Sequence, residues 1–178
     1  MDFLPLFLRP VLYILPSYFA NAVPVLLGGG APIDAGRKLW DNQRMFGDGK
    51  TVRGFFSGVA AGTLVGALEA IALAGGPYDL YGGSAAAYVI AGFLLGLGTM
   101  LGDLVGSFIK RRQKIARGKP SLATDQLMFL LFALALSYPV ASGLLSIQSV
   151  LFLAVLTYFV HVGANIIAHQ LGLKKVPW

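Results

Sequence analysis

The stretch "LGDLVGSFIKRR", residues 101–112, decides the fold, because it joins the end of an apolar segment to three consecutive cations. Residues 85–109 are long and apolar enough for a membrane-spanning helix, since about 20 apolar residues cross about 30 Å of hydrocarbon. The cations then mark one end of this span. Asp103 lies inside it, where an ionised carboxylate is costly unless it faces water or a partner.

The rest of the sequence also has the composition of an integral membrane protein. Of its 178 residues, 56% are hydrophobic and 12% are charged, and the mean hydropathy is +0.72. A soluble core does not need this much apolar surface. Apolar stretches predict four further spans, at about residues 3–27, 54–74, 126–145 and 147–170. We therefore predict an all-α, polytopic membrane protein with five transmembrane helices.

Charge sets the predicted orientation of this bundle. All but one of the 14 Lys and Arg residues lie in alternate connections or in the C-terminal tail, the exception being Arg9. The positive-inside rule then places the N-terminus outside and the C-terminus in the cytoplasm. We predict a single membrane-embedded domain over residues 1–178, with long cytoplasmic loops at 28–53 and 110–125. The chain has no cysteine, which excludes disulfides and thiolate metal sites.

Small and kinking residues predict how the helices pack. The first span contains four prolines and is expected to be kinked or interrupted. Glycines recur every fourth residue in the second and third spans, at 58, 62 and 66 and at 98, 102 and 106. Such stripes let helix backbones approach closely, so we interpret these glycines as packing residues.

Asp103 begins a polar ridge on the third span. Asp103, Ser107, Lys110 and Arg111 are spaced i, i+4, i+7 and i+8, which is one face of a helix. At 1.5 Å per residue, Asp103 lies roughly 10 Å from Lys110 along the helix axis, near the edge of the hydrocarbon. The ridge therefore predicts a water-accessible site, although an internal ion pair with Lys110 would explain it too.

A second carboxylate is expected beside Asp103. Asp125 stands at the head of the fourth span, where an acidic residue also serves as a simple helix cap. Two carboxylates at similar depth suit Mg²⁺, which proteins hold with one or two carboxylates, water and substrate phosphates. Cations from both basic loops, including Lys50 and Arg53, would favour a phosphate ligand, though membrane topology alone accounts for many of them.

Two other polar features remain open. Residues 28–54 form a long, Gly-rich connection that includes Trp40, and long ordered loops usually carry function, whereas a plain linker is the alternative. The last span has polar residues every fourth position, namely Thr157, His161, Asn165 and His169. They either hydrogen-bond between helices or line a cavity, and the same ambiguity applies to Asn21.

Several of these segments together resemble the archaeal CDP-archaeol synthases. They are "ANAVPVLLGGGAPIDAGRKLWDNQRMFGDGKTVRG" at 20–54, "GDLVGSFIKRR" at 102–112, the segment around Asp125, and "HVGANIIAHQLGLKKVPW" at 161–178. The second segment is also similar to the CDP-diacylglycerol synthases, but their Pro-Gly-His-Gly-Gly run is absent and "TDQL" replaces their Asp-Arg pair. From the latter family the carry-over reaches only Asp103, Ser107, Lys110, Arg111 and Asp125.

The resemblance implies a Mg²⁺-dependent cytidylyltransferase. It would transfer CMP from CTP to unsaturated archaetidic acid, an isoprenoid ether-lipid phosphate of the bilayer, giving CDP-archaeol and pyrophosphate. The implied partners are CTP, this lipid and the surrounding membrane lipids, with no nucleic acid, and the active site would face the cytoplasm.

The resemblance also implies roles for particular residues. Asp103 and Asp125 would bind the metal. The cations Lys50, Lys110 and Arg111 would contact phosphates. The remaining substrate contacts would come from Asn21, Asp34, Lys38, Gly47, Asp48, Gly49, Ser107, Arg112 and Asn165.

Two other classes of protein compete with this interpretation. A transporter or channel for an ion or phosphate would also need a polar cavity, but the outer half carries little charge beyond Glu69 and Asp79. An intramembrane aspartyl protease needs two acids. However, "MLGD" at residues 100–103 lacks the first glycine of the Gly-x-Gly-Asp pattern.

Overall fold

The computed structural model describes residues 3–115 and 127–173, and within these ranges the fold is helical. The described residues form five α-helices and one 3-10 turn: α1 Phe3–Leu27, α2 Val52–Leu73, α3 Ala85–Arg112, α4 Met128–Ala141, the 3-10 turn Ser142–Leu144, and α5 Ile147–Gln170. The only β pairing in these ranges consists of isolated bridges in the α1–α2 loop. The predicted all-α class is therefore confirmed.

The helices differ in how well they match a bilayer. Four of them, α1, α2, α3 and α5, are long and apolar enough to cross a membrane. The remaining apolar helix, Met128–Leu144 including the 3-10 turn, is shorter. Seventeen residues of helix extend about 25 Å, less than the roughly 30 Å of hydrocarbon. Within the described residues, length thus supports four of the five predicted spans, and α4, which begins just after the undescribed residues 116–126, is described over a shorter range.

Of the two predictions for α1, a kink or an interruption, the interruption is wrong. The helix is continuous although Pro10, Pro16 and Pro24 lie inside it. Each proline frees the carbonyl four residues earlier. For Pro24 this carbonyl belongs to Ala20, and α2 packs so closely there that a Cβ on Gly58 would lie 2.8 Å from the Ala20 oxygen. Tight packing by a neighbouring helix is what allows a proline-rich helix to continue in an apolar setting.

The two ends of the bundle differ in their connections. The loop end carries residues 28–51 and the last turn of α3, and the hairpin end carries the short connections 74–84 and 142–146. Helix α1 is hydrogen-bonded to three other helices between these ends. Its side chains form the pairs Tyr13 with Ser137 (2.5 Å), Ser17 with Thr99 (2.6 Å) and Tyr18 with Thr157 (3.0 Å).

Glycines hold α3 between α2 and α4. A Cβ on Gly62 would lie 2.8 Å from Gly96 Cα, and a Cβ on Gly102 would lie 2.5 Å from Phe129 Cα. Both distances are shorter than real Cβ contacts, so these backbones touch only because side chains are missing. The prediction that the glycine stripes are packing residues is confirmed, and the result is a closely held α3 on which Asp103 is carried.

Helix α5 is attached more loosely. Its contacts include Phe152 against Phe7 of α1, with ring centroids 4.9 Å apart, and His161 against Phe129 of α4, with centroids 6.1 Å apart. A groove remains between α1 and the second half of α5.

Candidate active site

The α1–α2 loop is folded around the carboxylate of Asp34. This side chain is fully buried and accepts hydrogen bonds from the Arg44 guanidinium (2.6 Å) and from the backbone N–H groups of Gly36, Phe46 and Gly47. Burial opposes ionisation, but the Arg44 guanidinium and the backbone donors hold the pKa of Asp34 well below its ordinary value. The loop therefore has an ionised carboxylate as its centre.

In this arrangement Asp34 organises its own loop, and its predicted contact with the nucleotide stays a prediction. Its oxygens already accept from the loop itself, and its side chain is not exposed to a ligand. Asp34 organises the segment that was predicted to surround the nucleotide. The residue that the sequence analysis missed is Arg44, ten residues later, whose guanidinium is the partner of this buried acid.

The fold of the α1–α2 loop places Lys50 next to Asp103. Residues on either side of Lys50 are paired with the start of the loop, since Ile33 N–H donates to Lys50 O (2.8 Å) and Val52 N–H donates to Ala31 O (3.0 Å). The Lys50 ammonium then lies 2.5 Å from Asp103 Oδ2, and the two side chains are 25% and 33% exposed. Asp103 thus has a cationic partner and stays partly open to solvent, as a site carboxylate in a span requires.

Arg112 holds the same loop from the far side of α3. It donates to the Asp41 carboxylate (2.7 Å) and to the backbone oxygens of Gln43 and Arg44. Its guanidinium also lies over the rings of Trp40 and Phe108. Arg112 follows Asp103 by nine residues, about two and a half turns, so the two side chains leave α3 in opposite directions. Arg112 therefore clamps the loop, and its predicted contact with substrate stays a prediction.

Helix register brings Asn21 to the level of Asp103. Ser17 and Thr99 share a hydrogen bond on two helices that run in the same direction, because α2 lies between them in the chain and is antiparallel to both. One turn further along each helix stand Asn21 and Asp103. On α3 itself Ser107 is buried, and Lys110 and Arg111 are partly buried beyond it.

Asn21 and Asn165 meet in the groove between α1 and α5. The groove has a volume of about 320 Å³ and is lined mainly by apolar residues, with a few polar side chains from both helices. These polar residues are Tyr18, Asn21, Thr157, His161 and Asn165. The structure therefore brings two predicted substrate residues together, and it places His161 beside them.

The remaining predicted residues have mixed positions. Lys38, Asp48 and Gly49 are exposed on the loop, and Asp48 also pairs with Arg44 (2.5 Å). Gly47 has a φ of 97° and donates its N–H to Asp34, a conformation that favours glycine. Asp125 lies outside the described residues, so its predicted pairing with Asp103 stays a prediction.

The described residues can be tested against the Mg²⁺ that the resemblance implies. They contain no cluster of three or more His, Cys, Asp or Glu that could hold a metal alone. They do supply Asp103, a carboxylate that already attracts a cation and is one-third exposed. A single carboxylate completed by phosphates and water is a usual set for Mg²⁺ and not for Zn²⁺. The site therefore fits a magnesium ion that arrives with a nucleotide.

Known proteins resemble this chain along most of its length. The family model "CarS-like: CDP-archaeol synthase" matches residues 3–178. A CDP-archaeol synthase of Thermococcus gammatolerans is 53% identical over 169 residues, covering 93% of each chain. One of Methanocaldococcus jannaschii is 44% identical, covering 93% of this chain and 94% of the other. A solved structure described as an intramembrane enzyme for archaeal membrane lipids biosynthesis has a TM-score of 0.77 at 36% identity, covering 90% of this chain and 94% of that one.

The long apolar helices and these similarities thus define the class of the chain, a multi-pass membrane enzyme of lipid biosynthesis. More particularly, the chain belongs to the CarS-like CDP-archaeol synthases, which are CTP-dependent cytidylyltransferases. This membership favours the enzyme over the transporter that composition had left open.

Proposed function

We propose that this protein transfers CMP from CTP to unsaturated archaetidic acid in a Mg²⁺-dependent reaction at its loop end. The observation that carries the proposal is the contact between Lys50 and Asp103, which places a cation and a carboxylate together at the edge of the bundle. A polyphosphate needs the cation, and a magnesium ion needs the carboxylate.

The reaction requires positioning more than proton transfer. The lipid phosphate is the nucleophile and is already ionised near pH 7, so no general base is needed. One of its oxygens forms a bond to the α-phosphorus of CTP as the bond to the β-phosphate oxygen breaks, and pyrophosphate leaves. The protein therefore has to align two anions and offset their repulsion.

Lys50 is proposed to change partners when CTP binds. Before binding, its ammonium neutralises Asp103. A bound triphosphate offers it several anionic oxygens, and Lys110 and Arg111 extend the same positive surface along α3. Asp103, with Asp125, would then hold the magnesium ion. When bound, Mg²⁺ neutralises charge that develops on the phosphates.

The groove between α1 and α5 is proposed to take the lipid. Its apolar lining suits isoprenoid chains, and its amide side chains Asn21 and Asn165 suit hydrogen bonds near the polar head. Asn21 stands at the level of Asp103 by helix register, so a lipid in the groove would present its phosphate toward the same end of the bundle. The basic loops would face the cytoplasm, where CTP is available.

The test is a label-transfer assay in proteoliposomes. The protein receives CTP labelled at the α-phosphate together with either the geranylgeranyl ether phosphate or a fatty acyl ester phosphate. We expect Mg²⁺-dependent transfer of label into the lipid phase with the ether lipid, with weaker transfer to the ester. Absence of label in the lipid phase with both lipids would overturn the proposed reaction, and equal transfer would remove the ether specificity.

A further inference from the structure

Trp40 is a large apolar side chain at an unexpected place. It lies in the α1–α2 loop and is 83% exposed. It is nevertheless held in position, because the Arg112 guanidinium lies 5.5 Å from its ring centroid and is itself bonded to neighbouring Asp41. An exposed tryptophan that is fixed in this way has a surface available for a partner.

The rotation of α3 shows which way this surface faces. Glycines on two sides of α3 pack against α2 and α4, and the exposed residues Ile90 and Phe93 lie on the remaining, outer flank. Phe108 follows Ile90 by 18 residues, about five full turns, so it points in the same direction. The Arg112 guanidinium lies 5.1 Å from the Phe108 ring centroid. Trp40 is therefore held at the outer flank of the bundle, on the side away from Asp103.

The length of α3 gives the depth of this position. The helix has 28 residues, and at about 1.5 Å per residue it extends about 42 Å, longer than about 30 Å of hydrocarbon. It begins directly after the hairpin connection, whose carboxylate and peptide groups belong outside the hydrocarbon. Its last turn, with Phe108 and Arg112, therefore reaches the lipid headgroup layer at the loop end.

The surroundings of Trp40 match that layer in charge. Arg37 and Lys38 are exposed in the same loop, and Arg53 is exposed on the first turn of α2. Tryptophan concentrates at membrane interfaces because its ring is apolar and its N–H is polar, and cations next to it attract anionic headgroups.

We propose that Trp40, clamped by Arg112, is an interfacial anchor whose partner is the anionic headgroup layer of the surrounding membrane. Through this anchor the α1–α2 loop keeps a set height above the bilayer. Lys50 belongs to the same loop, so its height relative to the lipid phosphates is set as well. The position of Trp40 on the outer flank of α3 does not depend on which substrates the site accepts, whereas its effect on the KM for the lipid phosphate rests on the proposed function.

Fluorescence of Trp40 tests this position directly. The chain has two tryptophans, so the full-length Trp178→Phe variant reports on Trp40 alone. In vesicles containing anionic lipid we expect a blue-shifted emission maximum relative to water-exposed tryptophan. Lipids with a nitroxide on the headgroup should quench the emission strongly, lipids with a nitroxide deep in the acyl chain weakly, and aqueous iodide weakly. Strong iodide quenching without quenching by either lipid would overturn the proposal, and so would quenching that appears only when CTP is added.

Activity provides a second measurement with a matched pair of variants. Trp40→Ser removes the anchor, and Trp40→Phe keeps an aromatic ring at the interface. In anionic vesicles we expect Trp40→Ser to show a several-fold higher KM for the lipid phosphate with an unchanged KM for CTP, and Trp40→Phe to stay close to wild type. A loop that was simply misfolded would raise the KM for CTP as well, and that result, like an unchanged lipid KM, would contradict the anchor.

Discussion

The loop end and the hairpin end of this bundle each contain a connection whose backbone N–H groups donate to an aspartate. At the loop end, Asp34 accepts from Arg44 and from three backbone N–H groups. At the hairpin end, Asp79 accepts from the N–H groups of Gly75 and Tyr81 and from the Tyr88 hydroxyl. In both loops a carboxylate that gathers backbone donors replaces the regular hydrogen bonds of a helix.

The two ends differ in what lies beside these loops. The hairpin connection 74–84 contains no Lys or Arg, and Arg9 of α1 donates to the Asp79 carbonyl oxygen there (2.7 Å). The loop end adds a carboxylate on a helix, Asp103, with Lys50 from the loop as its partner. Asp34 and Asp79, each at the centre of a loop, therefore have a structural role. Asp103, which lies on a helix and pairs with a cation from a loop, has the features of a functional site.

The acids inside the spans repeat this contrast. Asp103 of α3 is paired with Lys50, whereas Glu69 of α2 has a buried Oε1 atom with no hydrogen-bond partner among the described residues. Four substitutions test whether the loop end and the hairpin end differ in function, and their expected effects decrease from Asp103 to Glu69.

Asp103→Asn should have the largest effect. The amide keeps the shape of the side chain but has no negative charge, so it binds Mg²⁺ more weakly and forms no ion pair with Lys50, and we expect kcat/KM to fall by about 10³-fold or more. Label transfer from CTP to lipid measures the loss, and size-exclusion chromatography in detergent checks that the variant is folded. Retained activity in a folded variant would remove Asp103 from the mechanism.

Lys50→Met should come next, with a loss of about 10²-fold, because it removes one cation from the phosphates and leaves Asp103 without this partner. The matched control is Lys114→Met, the same change at an exposed lysine beyond α3, which should stay near wild type. A further readout is binding of Mn²⁺ without nucleotide, followed by electron paramagnetic resonance. Binding should be tighter in Lys50→Met, since the ammonium no longer competes for Asp103. Weaker binding would contradict the proposed exchange of partners.

Asp34→Asn should lower kcat/KM by about tenfold, mainly through a higher KM for CTP, because the loop that carries Lys50 loses its centre. Asp79→Asn is the corresponding change at the hairpin end and should lower thermal stability with little effect on KM. If both variants changed KM for CTP equally, the functional distinction between the two ends would fail.

The pH dependence of the loop gives a separate check on Asp34. Its pKa is depressed in the folded protein, so its contribution to stability is present above the unfolded pKa of about 3.9 and is lost as the pH falls below that value. The amide signals of Gly36 and Gly47 should therefore stay unchanged between pH 7 and about pH 5 in nuclear magnetic resonance spectra. In Asp34→Asn they should already be shifted at pH 7.

Glu69→Gln should have the smallest effect. The side chain lies in the half of α2 that leads to the hairpin end. As at Asp103, the substitution replaces a carboxylate by the corresponding amide. We expect kcat/KM within about twofold of wild type. A loss comparable to that of Asp103→Asn would mean that the site extends much further through the bundle than the loop end.

The helices were predictable because each membrane-spanning segment must be long and apolar by itself, whatever the other segments do. The predicted span at 85–109 corresponds to α3, Ala85–Arg112, and the predicted span at 147–170 coincides with α5. The glycine stripes were also readable, since a spacing of four residues puts glycines on one face of any helix. The continuity of α1 was not, because it depends on how α2 packs against the prolines.

The site was only partly predictable. The ridge that begins at Asp103 follows from helical spacing alone. The same spacing also places Arg112, nine residues after Asp103, on the opposite face of α3. Asp34 and Arg44 could not be distinguished from surface charges by pattern, because their pairing depends on the path of an irregular loop.

By itself, the sequence determined the class of the protein, the positions of its helices and the presence of a carboxylate among cations at one end. Local composition and helical periodicity are enough for these properties. Only the tertiary structure decided that Lys50 is the partner of Asp103, that Asp34 and Arg112 hold the loop, and that Asn21 and Asn165 share a groove. These contacts join residues far apart in the chain, and their energies depend on distances that close only when the whole bundle has packed.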